Sequence, residues 1–515
     1  MGCHEDVNDL KVFKYNQTDH ITSLDPAFAK SQNNIWATHH IFEGLVKLDD
    51  ELNVVPALAD SFNISDDGLT YTFHLKSDVY FQKHACFGVD STRSITAHDV
   101  AYSLSRLLDA NVNSPGSWLF TDKVVGADSF VAVSDSIFMM QLSKPFLPMM
   151  GILTMQYCSI VPREVIECLG SQWAQNPIGT GPFKFKRWVA NQALYLSENK
   201  NYHSETSHNL DGIKTSFIPD RKIAFLELMN GNLDFVSGLE SSFAPNLLTR
   251  DGHLKSEHDE VLKFAKAPYL NMEYLGINIE STPADSPLRI KAFRQGLNYG
   301  IDRQLMLTAL RNGVGKPATA GFIPAGLPSN DPARVKGYDY NPQKATALIK
   351  QAGYETIESV PSIALYTNKD YLDLTTFIAK QWEELGLKIS IEVIESGLLR
   401  QGMRNAEIPF FRASWIADYP DGESFLCMFY SGYPAPPNYT RYKNNEYDQL
   451  YETAIQTADA NERITLYQQM DKMLIEDAPV IFLFYDETAL FSRSNISGVS
   501  SNAVNLLKVE NLVKR

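Results

Sequence analysis

No stretch of this chain reaches the roughly 18 to 20 consecutive apolar residues that carry a helix across a bilayer, so its 515 residues are not expected to hold a membrane-spanning helix. Basic residues are in deficit: 46 Lys and Arg face 61 Asp and Glu, for a formal net charge of −15. Nucleic-acid binders need a basic patch that releases counterions, so no DNA or RNA partner is expected. Cysteine is scarce, with Cys3, Cys86, Cys158, Cys168 and Cys427 only, and an odd number leaves at least one unpaired or modified. Cys158 and Cys168 stand in an apolar segment with Pro162. They read as buried thiols, because a zinc site wants Cys or His at short spacing with a second pair elsewhere. No metal site is expected.

Catalytic motifs are missing too. The chain has no G-x-S-x-G elbow and no H-E-x-x-H. Gly179-Thr180-Gly181 resembles a phosphate loop, but Pro182 lacks the N–H such a loop would use and no Gly-Lys-Ser/Thr follows, so a structural turn is expected. His39 and His40 are adjacent and would point about 100° apart on a helix, unlike an i, i+4 metal pair. With 61 acidic residues, chance carboxylate pairs are expected and glycosidase chemistry does not follow from them. No catalytic residue and no cofactor is expected.

What is present is enough apolar material, 44%, for more than one core, since a single core stops growing at about 250 to 300 residues. Thr70 to Leu75 alternates, with Tyr71, Phe73 and Leu75 on one face, and predicts a half-buried strand. Thr96 with Asp99 predicts a capped helix carrying Val100, Leu104, Leu107 and Leu108. Asn341-Pro342 opens another helix with Ala345, Leu348, Ile349 and Ala352 inward, and Gly353 stops it. Leu374, Phe377, Ile378, Trp382 and Leu385 predict a further helix before Gly386. Leu387, Ile389, Ile391 and Val393 then alternate as a strand. The helix of Ile464, Tyr467, Met470 and Leu474 leads into Val480 to Tyr485, a continuous apolar run that predicts a strand buried on both faces. Interchanging strands and helices give an α/β or mixed α+β class. No Pro/Gly/Ser-rich linker marks a lobe boundary.

One segment carries chemistry. Arg412-Ala-Ser-Trp415-Ile-Ala-Asp418-Tyr-Pro-Asp421-Gly422 joins an apolar strand to a turn with two carboxylates beside a tryptophan. A carboxylate facing an amine makes a charge-assisted hydrogen bond about twice as strong as a neutral one, and an indole offers its π face to a cation. Pro420-Asp421-Gly422 is also an ordinary turn signal, so the segment by itself leaves binding and turn open.

Other segments extend the pattern in order. Ser23-Leu-Asp-Pro26 precedes Phe42-Glu-Gly-Leu45; Pro56-Ala-Leu-Ala-Asp-Ser61 and Asp67-Gly-Leu-Thr-Tyr-Thr-Phe-His-Leu75 precede Ile95-Thr-Ala-His-Asp-Val-Ala-Tyr-Ser103. Pro177 to Phe183, Asn199-Lys-Asn-Tyr202, Leu288 to Phe293, Ile301-Asp-Arg303, the Trp415 segment, Asn438 to Tyr442, Tyr447 to Leu450 and Asp477 to Leu483 follow. In these residues the chain resembles the extracellular solute-binding proteins of family 5, the oligopeptide- and dipeptide-binding receptors of ABC importers.

The resemblance implies a bilobal periplasmic-binding-protein-like fold with a hinge and an extra subdomain in the first lobe. It implies residues 1–46 as the first segment of lobe I, 47–178 as the inserted subdomain and 179–270 as the central segment. Residues 271–484 would form lobe II and 485–515 the last segment of lobe I, with crossings near Pro268 to Gly276 and Leu483 to Asp486. It implies peptide held between the lobes by strand-like backbone pairing, with hinge closure around it. Asp418 matches the family aspartate that binds the ligand α-ammonium, Trp415 the tryptophan beside it, and Arg412 an arginine that meets the carboxy end of some longer peptides, with a structural ion pair as its other reading. Ser414, Ala417 and Tyr419 belong to the same segment. A second family arginine lies one residue further upstream than Arg404, the nearest match. Asn33 and Asn34 stand near polar family residues before the Phe-Glu-Gly segment, with two readings: a hydrogen bond to the peptide backbone or a helix cap.

Phe81 to Arg93 is longer than the family's usual Asp-Gly turn. Cys3, behind Met1-Gly2, matches what a trimmed bacterial lipoprotein signal leaves, and the resemblance implies a lipid anchor there, with an incidental surface thiol as the other reading. A myristoylation signal would want Ser or Thr where Asp6 stands. The expected partners are a peptide, an ABC permease with its ATPase and the membrane surface through the anchor, for a monomer outside the cytoplasm. The same fold in the family also takes oligosaccharide, nickel complexes or haem, and a peptide sensor or chaperone is a further alternative.

Overall fold

Alternation decides the first strand. In the computed structural model, which describes residues 10–204, 208–238 and 243–515, Val12–Gln17 (β1) buries Phe13 and Tyr15. Cys3 lies outside the described residues. Helix Gln32–His39 (α1) starts after Ser31 as N-cap, so neither Asn33 nor Asn34 caps it. Strands Ala59–Ile64 (β2) and Thr70–Leu75 (β3) pair antiparallel, and Tyr71, Phe73 and Leu75 are buried as their alternation predicts. Helix Ala97–Ser105 (α2) opens with the predicted capping box, the Thr96 N–H reaching Asp99 Oδ2 at 2.8 Å. It ends before Leu107 and Leu108, so these two expected stripe members lie in the turn after it, where Leu107 is still buried. Phe130–Ser134 (β4) and Ile137–Gln141 (β5) complete a four-stranded sheet in the order β2-β3-β5-β4.

Helix Arg163–Leu169 (α3) corrects the reading of Cys168. Cys168 is disulfide-bonded to Cys86, 82 residues away, while Cys158 is a buried free thiol. Spacing along the chain misled here, because the partner comes from the long Phe81 to Arg93 loop. That loop is fastened a second time by Arg93, whose guanidinium grips Asp99 at 2.6 and 2.7 Å and also pairs with Glu164. Gly179 and Gly181 form a structural turn. Gly181 N–H bonds the Ile41 carbonyl at 2.8 Å, and a Cβ at Gly179 would stand 2.1 Å from that same oxygen.

Strands Phe183–Val189 (β6), Ala193–Glu198 (β7), Gly212–Phe217 (β8) and Phe235–Ser237 (β9) build a sheet around β1, which is parallel to β8 on one side and β9 on the other. Strand Leu262–Ile277 (β10) is 16 residues long because it leaves this first unit and continues into the second.

In the second unit, Asn341 caps Pro342–Gln351 (α4), its Oδ1 accepting the Lys344 N–H at 2.9 Å. Strand Ile363–Thr367 (β11), helix Leu372–Glu384 (α5) and strand Ile389–Val393 (β12) follow. Trp382 of α5 packs into a core with Phe293, Ile378, Phe410 and Ile481. Strand β12 is an edge strand with an exposed Val393. Helix Ser396–Arg404 (α6) leads to Phe410–Ile416 (β13), and the short helix Glu423–Leu426 (α7) comes next. Helices Asn445–Ala454 (α8) and Ala460–Asp477 (α9) precede Val480–Arg493 (β14). Residues 480 to 485 are buried throughout, as the apolar run predicts. The sheet order in this unit is β12-β11-β13-β10-β14.

One unit comprises Met1–Glu240, Ser256–Ala265 and Ala489–Arg515, and the other Ser241–Lys255 and Lys266–Thr488. Among the described residues no group of three or more His, Cys, Asp or Glu converges as a metal site, and no helix is long and apolar enough to cross a membrane.

Candidate functional site

Strand β13 places the motif. It pairs antiparallel with β10 from Phe410 opposite Ile277 to Ile416 opposite Asn271, so Arg412 and Ser414 share one face and Ala413 and Trp415 the other. In an antiparallel ladder hydrogen-bonded and non-bonded pairs alternate. The Ala417 N–H bonds the Leu270 carbonyl and the Asn278 N–H the Pro409 carbonyl, both at 2.8 Å. Odd-numbered residues of β13 therefore turn their polar backbone groups toward β10, and Ser414 turns its N–H and C=O the opposite way. On that side β11 bridges β13 only at Phe411. Ser414 is half-buried and Ile416 is 48% exposed, so a short length of open strand edge remains.

After β13 the chain turns, and the two aspartates separate in role. Asp421 is occupied by the turn itself, since its Oδ1 accepts the Glu423 N–H at 2.9 Å. The Asp418 carboxylate accepts no hydrogen bond and joins no ion pair among the described residues, and its side chain is exposed. Water reaches it, yet surrounding protein mass and then the nearby Glu423 carboxylate push its pKa up to about 6. A carboxylate in this position is an acceptor that lacks a cation.

The neighbours of Asp418 are fixed. Trp415 is half-buried and donates its indole N–H to the Ser424 carbonyl at 2.6 Å. The Asp418 N–H reaches the Ser424 hydroxyl at 3.2 Å. Tyr419 is buried and donates its hydroxyl to Glu423, which also accepts from Tyr451. Ala417 is buried on β10.

Arg412 has a different environment. It is buried, ion-paired with Glu273 of β10, and its guanidinium lies over the ring of Tyr371. Burial raises the Glu273 carboxyl, and Arg412 offsets part of that rise. Asn271 links Glu273 at 3.4 Å to Asp486 of β14 at 3.3 Å, and Asp486 pairs with Arg311. Arg412 thus belongs to a buried network on the face of β13 opposite Trp415. Arg404 is exposed at the end of α6, where its carbonyl accepts from Arg441 at 2.6 Å.

Asn33 and Asn34 lie in the first unit. Asn34 is buried and engaged three ways: its Oδ1 accepts the Thr22 N–H at 3.0 Å and its Nδ2 donates to Thr22 Oγ1 at 2.9 Å and to the Phe28 carbonyl at 3.1 Å. It fastens the loop after β1. Glu273, Ser424, Glu423 and Tyr451 were not singled out from sequence. Glu273 lies 139 positions from Arg412, and no local pattern announces such a pair.

Comparison with known proteins gives this geometry its context. The description "Bacterial extracellular solute-binding proteins, family 5 Middle" matches residues 53–436. The chain belongs to this family. Family members are extracellular or periplasmic, and they serve ABC importers as solute-binding proteins, not as enzymes. The haem-binding protein A of Haemophilus influenzae is 28% identical over 83% of this chain and 78% of its own length. The dipeptide-binding protein of Escherichia coli K12 is 25% identical over 86% of this chain and 83% of its own. Among solved structures, HbpA2 from Haemophilus parasuis shares the fold, with a TM-score of 0.85 and 23% identity over 98% of this chain and 99% of its own.

Proposed function

We propose that this family 5 protein binds peptides with a free amino terminus and delivers them to an ABC permease. The observation that carries the reading is the Asp418 carboxylate, exposed and without an internal cation, in the turn that directly follows Trp415 and the open strand edge at Ser414. An ammonium group supplies the missing charge as a charge-assisted hydrogen bond. The Ser414 N–H and C=O supply pairing to an extended backbone whatever its side chains, and Trp415 lines the position beside the amine. Because Arg412 is held by Glu273, its role in this reading is to brace β13 on β10 and not to meet the ligand carboxylate. The dipeptide-binding relative supports the same cargo class.

Haem is the second reading, favoured by the haem-binding relative. Haem brings two carboxylates, which Asp418 would repel, so the peptide reading fits the site better. We further propose that the two units close over the ligand by hinging where strands β10 and β14 pass from one to the other, that the protein acts as a monomer, and that Cys3 carries a lipid anchor at a periplasmic or extracytoplasmic membrane surface.

Native mass spectrometry of the purified protein, with identification of the small molecules released on denaturation, tests the cargo. The expected result is a ladder of heterogeneous peptides. A single non-peptide species would overturn the reading.

A further inference from the structure

We propose that Ser424 is a positioning residue that locks the amine anchor and its indole neighbour into one unit, a role that rests on the peptide reading above. Ser424 is buried within α7 and makes two bonds to β13 and its continuation. Its carbonyl accepts the Trp415 indole N–H at 2.6 Å, and its hydroxyl accepts the Asp418 N–H at 3.2 Å. Those partners flank Ala417, whose own N–H is held on β10. One residue therefore sets both features, its main-chain carbonyl the plane of the ring and its hydroxyl the direction in which the carboxylate leaves the backbone.

Ser424 itself has little room to drift. Its neighbour Glu423 is clamped by the Tyr419 and Tyr451 hydroxyls, its own N–H bonds the Asp421 carbonyl at 3.1 Å, and Cys427 Sγ lies 3.5 Å from its carbonyl. A binding group must be held within about 0.5 Å of its productive position to deliver its full interaction, and this is the shell that holds Asp418.

The arrangement also restricts the ligand. Indole has a single donor, and Ser424 occupies it. Trp415 then offers carbon surface and its π face but no hydrogen bond, so the first residue of a preferred peptide is apolar or cationic rather than acidic.

The test compares an alanine peptide with its N-acetylated form by calorimetry, using the tightest binder of the di- to penta-alanine series, in wild type, S424A, S424T and D418A. The readout is the ratio of the two affinities, which a general loss of stability leaves unchanged because both peptides suffer equally. The expected result is a ratio about tenfold lower in S424A, the loss of one hydrogen bond near a charged group, with recovery in S424T. An unchanged ratio in S424A alongside a collapsed ratio in D418A overturns the positioning role and leaves the anchor intact. An unchanged ratio in D418A overturns the peptide-amine reading itself. Should S424A not fold, S424C, whose thiol is a weaker acceptor in the same place, reads the same ratio with the same two outcomes.

Discussion

In the proposed reading Asp418 is the carboxylate that takes the ligand's cation, and two consequences follow for solution behaviour. Removing the carboxylate in Asp418→Ala should weaken free-amine peptides by about 2 to 5 kcal/mol, the cost of deleting one partner from a charge pair enclosed by its ligand; calorimetric titration measures it. The second concerns pH. The Asp418 carboxyl is pushed up to about 6, so its protonated form persists to higher pH than in an ordinary aspartate, whereas an ammonium binds the deprotonated form. Affinity should be full above about pH 6 and fall as the pH drops through that value, with proton release on binding near pH 6, detectable by titration in buffers of different ionisation enthalpy. Arg412 should respond differently. Arg412→Met leaves Glu273 buried without its counter-charge, so stability should fall by about 3 to 5 kcal/mol in urea unfolding. Wild-type stability in that variant would contradict the bracing role. The segment holding Trp415 and Asp418 was legible because its residues are consecutive, whereas the partner of Arg412 was not, because a strand ladder joins distant sequence without a local trace.

Among elements, those with a clear period were the ones sequence could place. Tyr71, Phe73 and Leu75 alternate and are buried; Asn341 and Pro342 open a helix with the cap bond in place. Ends were harder, and α2 stops at Ser105 although its apolar stripe runs on to Leu108, because apolar residues in a following turn bury as readily as helical ones. The Phe81 to Arg93 loop shows the limit of spacing arguments. Cys86 and Cys168 are joined across 82 residues, and closing a loop of that length stabilises by about 4 to 5 kcal/mol in the chain-entropy account. A C86A/C168A double variant should unfold at lower denaturant by about 2 to 5 kcal/mol. If its midpoint matches wild type, Arg93 with Asp99 and Glu164 holds the loop unaided. Reduction before unfolding should reproduce the double variant, and a disulfide of this kind suits an oxidising compartment.

For the whole molecule, the acidic charge and absence of a catalytic motif restrict function less than the ordered set of family motifs does. Length predicted more than one core, and the chain divides into two units, with strands β10 and β14 among the segments that pass between them. Composition carried no sign of those crossings, because a strand that passes from one core to another looks like any other buried strand. Solution scattering with and without peptide tests closure, with a smaller radius of gyration expected on binding and an unchanged one contradicting it. The central claim is that a free ammonium group is what Asp418 recognises. The most direct measurement is calorimetric titration of the wild-type protein with an alanine peptide and with the same peptide acetylated at its amino terminus. Tight binding of the free amine and loss of at least about tenfold on acetylation is the predicted result; equal affinity for both would contradict it.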